Sequence, residues 1–202
     1  MYKPANEKLL PEQAELLHTI LKSNQTIYSV IQKAEDICKE PYYIGAGCIA
    51  QTVWNYQNGY EPMYGISDID FVYFDDKDLS YETENQKIQL IRKELGAPVE
   101  VDIKNQARVH LWYEQHFGYP VDPYRSLEDA INTWPTTASA AGVRLESGKL
   151  AVYAPFGLDD LFAQIIRANK VRITREIYEA KVTKWTAKWN TLNVVPWETK
   201  AV

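Results

Sequence analysis

The sequence predicts a mixed α/β fold, and three observations carry that expectation. Short apolar runs with a period of two alternate with longer stretches whose apolar residues recur every three to four positions. One run, Asp68-Ile69-Asp70-Phe71-Val72-Tyr73-Phe74, is polar on one face at its start and apolar on both faces beyond Asp70. That is the pattern of a strand covered on both sides. Near the end of the core, Val143–Leu145 and Leu150–Tyr153 meet through Ser147-Gly148 as a β-hairpin. Strands interleaved with helices and followed by a hairpin imply a mixed sheet rather than a helical bundle.

Taken in order, the chain opens with two amphipathic helices. Leu10, Ala14, Leu17 and Leu21 keep helical spacing, and Ser23-Asn24 offers a cap. Ile27, Val30, Ile31, Ala34, Ile37 and Cys38 continue the spacing until Pro41 ends the second helix. Tyr42-Tyr43-Ile44 is a short strand running into Gly45-Ala46-Gly47, and a helix follows from Cys48 to about Tyr56, with Gly59 suited to its end. After the Asp68 strand, Tyr81 to Leu95 reads as a helix closed by Gly96 and Pro98. Val99–Ile103 is a third strand, with Glu100 and Asp102 on one face. Arg108–Phe117 is helical up to Gly118, and Ser126 with Asp129 forms a capping box for a helix reaching Thr133. Beyond the hairpin, Leu158–Asn169 and Thr174–Trp189 read as two closing helices. One domain over residues 1–202 accommodates all of this, with a helical lead (9–40), a core (42–155) and C-terminal helices (158–190).

Bulk properties narrow the function classes. No apolar stretch approaches the ~20 residues needed to span a bilayer, and the N-terminal residues lack the apolar run of a secretory signal. Two cysteines, Cys38 and Cys48, are too few for a disulfide scaffold, which points to the reducing cytoplasm. The net charge of −5 argues against a general nucleic-acid coat. Residues 161–202 nevertheless carry eight Lys/Arg against three Glu, Lys200 included, while residues 1–160 are strongly acidic. The basic end is either a solvated helix face or a contact for an anionic partner. His18, His110 and His116 show no zinc-ligand spacing, and Trp54, Trp112, Trp134, Trp185 and Trp189 read as packing residues.

Three features could carry chemistry. Glycines at the strand-to-helix turn Gly45-Ala46-Gly47 would let a phosphate approach backbone amides, and a tight structural turn explains them equally well. Asp68 and Asp70 project from one strand face, where two like charges call for a cation. A hard divalent ion such as Mg²⁺ or Mn²⁺ suits such oxygens; a water-screened strand end is the alternative. Asp102 repeats the pattern, so a neighbouring placement of the two strands would gather three carboxylates, with Glu100 the rival for the third place. Lys104, Asn105, Arg108 and His110 follow Asp102 as either phosphate or base contacts or a polar helix start. Thr136, Thr137 and Ser139 with Arg144 are either nucleotide or acceptor contacts or turn chemistry. Asp159 and Asp160 read as acids favouring a helix N-terminus.

Ile44-Gly45-Ala46-Gly47, a helix, Asp68-Ile69-Asp70-Phe71 and a later-strand Asp102 together resemble the nucleotidyltransferase superfamily. The runs Ile44–Asn55, Asp68–Phe71, Glu100–Trp112 and Trp134–Arg144 are similar to a bacterial nucleotidyltransferase-like family whose head resembles that of CCA-adding enzymes. The resemblance implies a polymerase β-like head and metal-dependent transfer of a nucleotidyl group from a nucleoside triphosphate to a hydroxyl. The acceptor, whether small molecule, protein or RNA, is left open. Asp68, Asp70 and Asp102 would bind metal and act in catalysis, and Gly45, Ala46, Gly47, Lys104, Arg108, Thr137 and Arg144 would meet the nucleotide. The superfamily often has Gly-Ser where this chain has Ala46-Gly47. CCA-adding enzymes usually follow the glycines with Arg-Asp, where this chain has Ile49-Ala50, which argues against tail-building on transfer RNA. The alternatives are a non-catalytic nucleotide- or anion-binding module and a regulatory partner of the toxin–antitoxin kind that kept the fold.

Overall fold

The computed structural model of the protein describes residues 11–198. Leu10 of the first helical pattern, residue 9 of the helical lead and Lys200 of the basic end lie outside those residues. Helices α1 (Pro11–Ser23) and α2 (Gln25–Ile37) come first. Asn24 caps α2 by accepting from the Ile27 N–H at 3.2 Å, and its amide also donates to the Pro62 carbonyl at 2.8 Å. Strand β1 (Tyr42–Gly45) passes through Ala46 into α3 (Gly47–Asn58), which stops at Gly59 in the left-handed conformation. Strand β2 (Asp68–Tyr73), α4 (Tyr81–Leu95) and β3 (Glu100–Asn105) make a β-α-β unit whose strands run parallel. Helices α5 (Val109–Phe117) and α6 (Leu127–Ile131) precede the hairpin of β4 (Gly142–Glu146) and β5 (Lys149–Tyr153). Then come α7 (Asp159–Phe162), β6 (Ile165–Ile166), α8 (Arg175–Thr186) and β7 (Asn193–Val194).

Five strands form one mixed sheet in the order β3-β2-β1-β4-β5, in which only β2 and β3 are parallel. The period of two divides the side chains of this sheet between unequal faces. Ile44, Ile69, Phe71, Tyr73, Val101 and Ile103 point into the main core with Leu17, Ile31, Trp54 and Ile91 from α1–α4. The opposite face holds a smaller cluster in which Tyr43 and Val72 meet Leu127 and Ile131 of α6. On that second face the sheet is only partly covered, and it is there that Asp68, Asp70, Asp102 and Lys104 emerge.

The C-terminal region differs from its sequence pattern. The spacing predicts a helix over 158–169, but α7 stops at Phe162, and Gln164 takes a φ of +54° that a helix cannot continue. Ile165 and Ile166 instead pair in parallel with Asn193 and Val194. This pairing folds the chain end back, so that α8 lies against the core. Three buried tryptophans fix it: Trp54 of α3 meets Trp185 at 5.2 Å and Trp189 at 5.7 Å, both edge-on. The Trp189 indole N–H donates to the Asn55 side chain at 2.8 Å.

Candidate functional site

Register assembles the site. Asp70 of β2 lies opposite Asp102 of β3 on one side and Gly45 of β1 on the other, while Asp68 lies opposite Glu100. One carboxylate oxygen from each of Asp68, Asp70 and Asp102 falls within 4.8 Å of the others. Glu100 is exposed and stands outside this group. Burial, then the charges of Asp68 and Asp102, push the Asp70 carboxyl up to about 6, against the pull of Lys104 and Lys181. Lys104 forms an ion pair with Asp102, and the Ser67 hydroxyl donates to Asp68. Three hard oxygens in so small a volume, two of them raising the Asp70 carboxyl, are a donor set that a divalent cation fits.

Asp68 and Asp70 line a cavity of about 390 Å³, and Lys104, the partner of Asp102, lines it too. One wall comes from β3, the short turn Gln106–Arg108 after it and α5, with Lys104, Gln106, Trp112 and Tyr113; the other comes from α8, with Ile177, Lys181, Lys184 and Trp185. Ile177, Lys181, Lys184 and Trp185 stand at i, i+4, i+7 and i+8, which is one helix face. Burial lowers the pKa of the Lys181 ammonium, while the facing carboxylate of Asp70 holds it up. Its nitrogen sits 4.9 Å from the centre of the Trp185 ring.

The strand-to-helix turn borders the same cavity through Ala46 and Gly47. Ala46 has φ +58° and ψ −130°, a conformation costly for a residue with a Cβ, and provides no side-chain cap for α3. The first turn of α3 therefore opens toward the cavity with the positive end of its dipole. Gly45 has a different task. A Cβ there would lie 2.6 Å from the Trp134 ring and 2.7 Å from the Ala141 carbonyl oxygen, so the missing side chain permits close packing. At Gly47 the nearest obstacle is the movable amide end of Gln51, at 2.9 Å. Gly45→Ala is expected to cost about 1–3 kcal/mol of stability and Gly47→Ala less than about 1 kcal/mol, read by urea denaturation. Equal losses would mean that the close approach at Gly45 does not constrain the fold.

The other residues suggested by sequence are not brought together. Arg108 is buried, donates to the Leu79 carbonyl at 2.9 Å and pairs with Glu84 of α4. Arg144 is held by Glu146, two residues along β4, and lies 4.5 Å over the Tyr43 ring. The Thr137 hydroxyl donates to Asp160 at 2.6 Å, and Asp160 also binds Arg167 at 2.9 Å. None of these three lines the cavity, because each is drawn to a carboxylate elsewhere. Arg175 is likewise occupied, by Glu179 and Glu198. Conversely, Trp112 and Trp134, read from sequence as packing residues, line the cavity. Lys181 and Lys184 have a signal in the sequence, the four-position face on α8, but nothing local says that α8 turns that face to the carboxylates.

A strand–turn–helix beside a carboxylate group at one end of a mixed sheet defines the class of nucleotidyltransferase heads. A family model described as nucleotidyltransferase matches residues 34–194, and the chain belongs to that family. A solved NMR structure described as revealing a CCA-adding enzyme head domain is similar in fold, with a TM-score of 0.73 and 22% identity. The match covers 89% of this chain and 94% of that one. No curated protein matches the sequence. Among the described residues no helix is long and apolar enough to cross a membrane.

Proposed function

We propose that this protein transfers a nucleotidyl group from a nucleoside triphosphate to a hydroxyl acceptor, with Mg²⁺ or Mn²⁺ held by Asp68, Asp70 and Asp102. The observation that carries this reading is the approach of those three carboxylates to within 4.8 Å of one another in a chain of this family. Bound there, a divalent cation would supply Lewis-acid stabilisation of phosphoryl oxygens. Asp102, across the register from Asp70, would take the proton of the attacking hydroxyl. The start of α3 at Gly47 would receive phosphate oxygens at its free amides. Lys104, Lys181 and Lys184 would balance the phosphate charge, and Trp112 and Tyr113 would offer ring faces to a base. Arg108, Thr137 and Arg144 are engaged by carboxylates elsewhere, and this reading gives them no contact with the nucleotide. Two free, buried cysteines fit the cytoplasm as its compartment.

The deciding experiment incubates the protein with labelled nucleoside triphosphates, Mg²⁺ and cell extract, and looks for a labelled product. Label should reach an acceptor with the parent protein and not with Asp70→Asn. Failure of any triphosphate to bind with Mg²⁺ at millimolar concentration overturns the enzyme. If charge reversal of Lys181 and Lys184 then abolishes a partner complex, a binding module takes its place.

A further inference from the structure

The carboxylate group is not electrically bare. Two lysines face it, and they are held in different ways. Lys181 is anchored: its stem rises from α8 and its nitrogen rests over the ring of Trp185, which is buried against Trp54. Lys104 is tethered only by its own charge. It stands two residues from Asp102 on β3, on the same strand face, and its ammonium is paired with an Asp102 carboxylate oxygen. Its side chain is 44% exposed and that of Asp102 is 37% exposed, so neither is locked by packing. The lysine stem is flexible and its ammonium is a compact point charge that changes partner readily.

An ammonium and a divalent cation then compete for Asp102. We propose that Lys104 is the resident counter-ion of Asp102, that it gives up this carboxylate to the incoming cation, and that it passes to the triphosphate. This rests on the metal-dependent reading above. The consequence is an order of events: Asp102 is masked while the site lacks metal, and the cation that unmasks it also frees an ammonium for phosphate. Lys104 therefore opposes metal binding and favours nucleotide binding, two effects of opposite sign from one side chain.

The test measures binding, not turnover. Mn²⁺ affinity is read from the electron paramagnetic resonance signal of the free ion, and triphosphate affinity is read by calorimetry with Mg²⁺ present. Lys104→Met should bind Mn²⁺ alone roughly two- to fivefold more tightly, the fold-change equivalent of releasing one exposed ion pair. The same variant should bind the triphosphate more weakly by at least that factor. Lys104→Arg, which keeps a counter-charge, should stay close to the parent in both. Loss of fold would weaken both affinities in Lys104→Met, so the opposed signs separate the proposal from a structural defect. Mn²⁺ binding that is unchanged or weaker in Lys104→Met, on a parent that binds the ion, overturns the role of Lys104 and leaves the metal site standing. A parent that binds no Mn²⁺ at millimolar concentration overturns both.

Discussion

Replacing Asp102 by asparagine is expected to slow nucleotidyl transfer by about 10³-fold or more while triphosphate affinity stays within about tenfold, or ~1.4 kcal/mol. Asp70 and Asp102 face one another across parallel strands, so an asparagine side chain, equal in size to the aspartate it replaces, fits the same space and leaves the fold untouched. What would be lost is the negative oxygen that the proposed reaction needs when the acceptor hydroxyl sheds its proton, an interaction worth more in the transition state than in the ground state. Asp68 and Asp70 remain to hold the cation and the nucleotide with it. Single-turnover rates beside equilibrium binding check this result. A parallel fall in both quantities would make Asp102 a binding residue, and an unchanged rate would remove it from the chemistry.

The second large effect is on stability, and its sign is the reverse of what most active-site substitutions give. The Asp70 carboxyl is raised from its ordinary 3.8 to about 6 by burial and by Asp68 and Asp102. A folded-state value above the unfolded one means that the native protein binds the extra proton. Stability is therefore lost as pH rises from about 4 to about 6, and the full cost is present at neutral pH. Each pK step of one corresponds to about 1.4 kcal/mol, so Asp70→Asn should stabilise the metal-free protein by up to about 3 kcal/mol at pH 7.5. Below pH 4 the gain should vanish. Mg²⁺ should raise the melting temperature of the parent and leave the variant unmoved, because a ligand stabilises only the state that binds it. Thermal melts of both proteins at pH 4 and 7.5, with and without Mg²⁺, decide the matter. An equal response to Mg²⁺ would place the ion elsewhere.

Much of this architecture is legible from local pattern. Asp68-Ile69-Asp70 entering an apolar run, and Asp102 between Val101 and Ile103, each fix a strand and the face on which its acids lie. Adjacency of these two strands is left open by the sequence; the structure pairs them in parallel around α4. Helix ends at Asn24, Gly96 and Gly118 follow from capping chemistry. What local pattern does not contain is non-local pairing. Ile165-Ile166 sits in a stretch with helical spacing, yet a strand 28 residues later, Asn193-Val194, draws it into a ladder. The same limit hides the cationic wall, since the docking of α8 depends on Trp54 meeting two tryptophans more than 130 residues away. Arg108 escapes local reading for the same reason, its partner Glu84 lying on α4. Arg144 is the exception: Glu146 shares its strand face, and that pair is readable from the sequence.

The two walls of the cleft differ in mechanical character. The α8 jaw is bolted to the interior by the rings of Trp185 and Trp189, so swinging it outward would expose the buried heart of the molecule. On the opposing α5 jaw only Val109 is buried, and Leu111 and Phe117 stand in solvent. Local opening is cheapest where little apolar surface is sequestered. On the proposed function, nucleotide and product would pass by the α5 jaw, and Lys181 and Lys184 would be a stationary anvil against which each triphosphate is set.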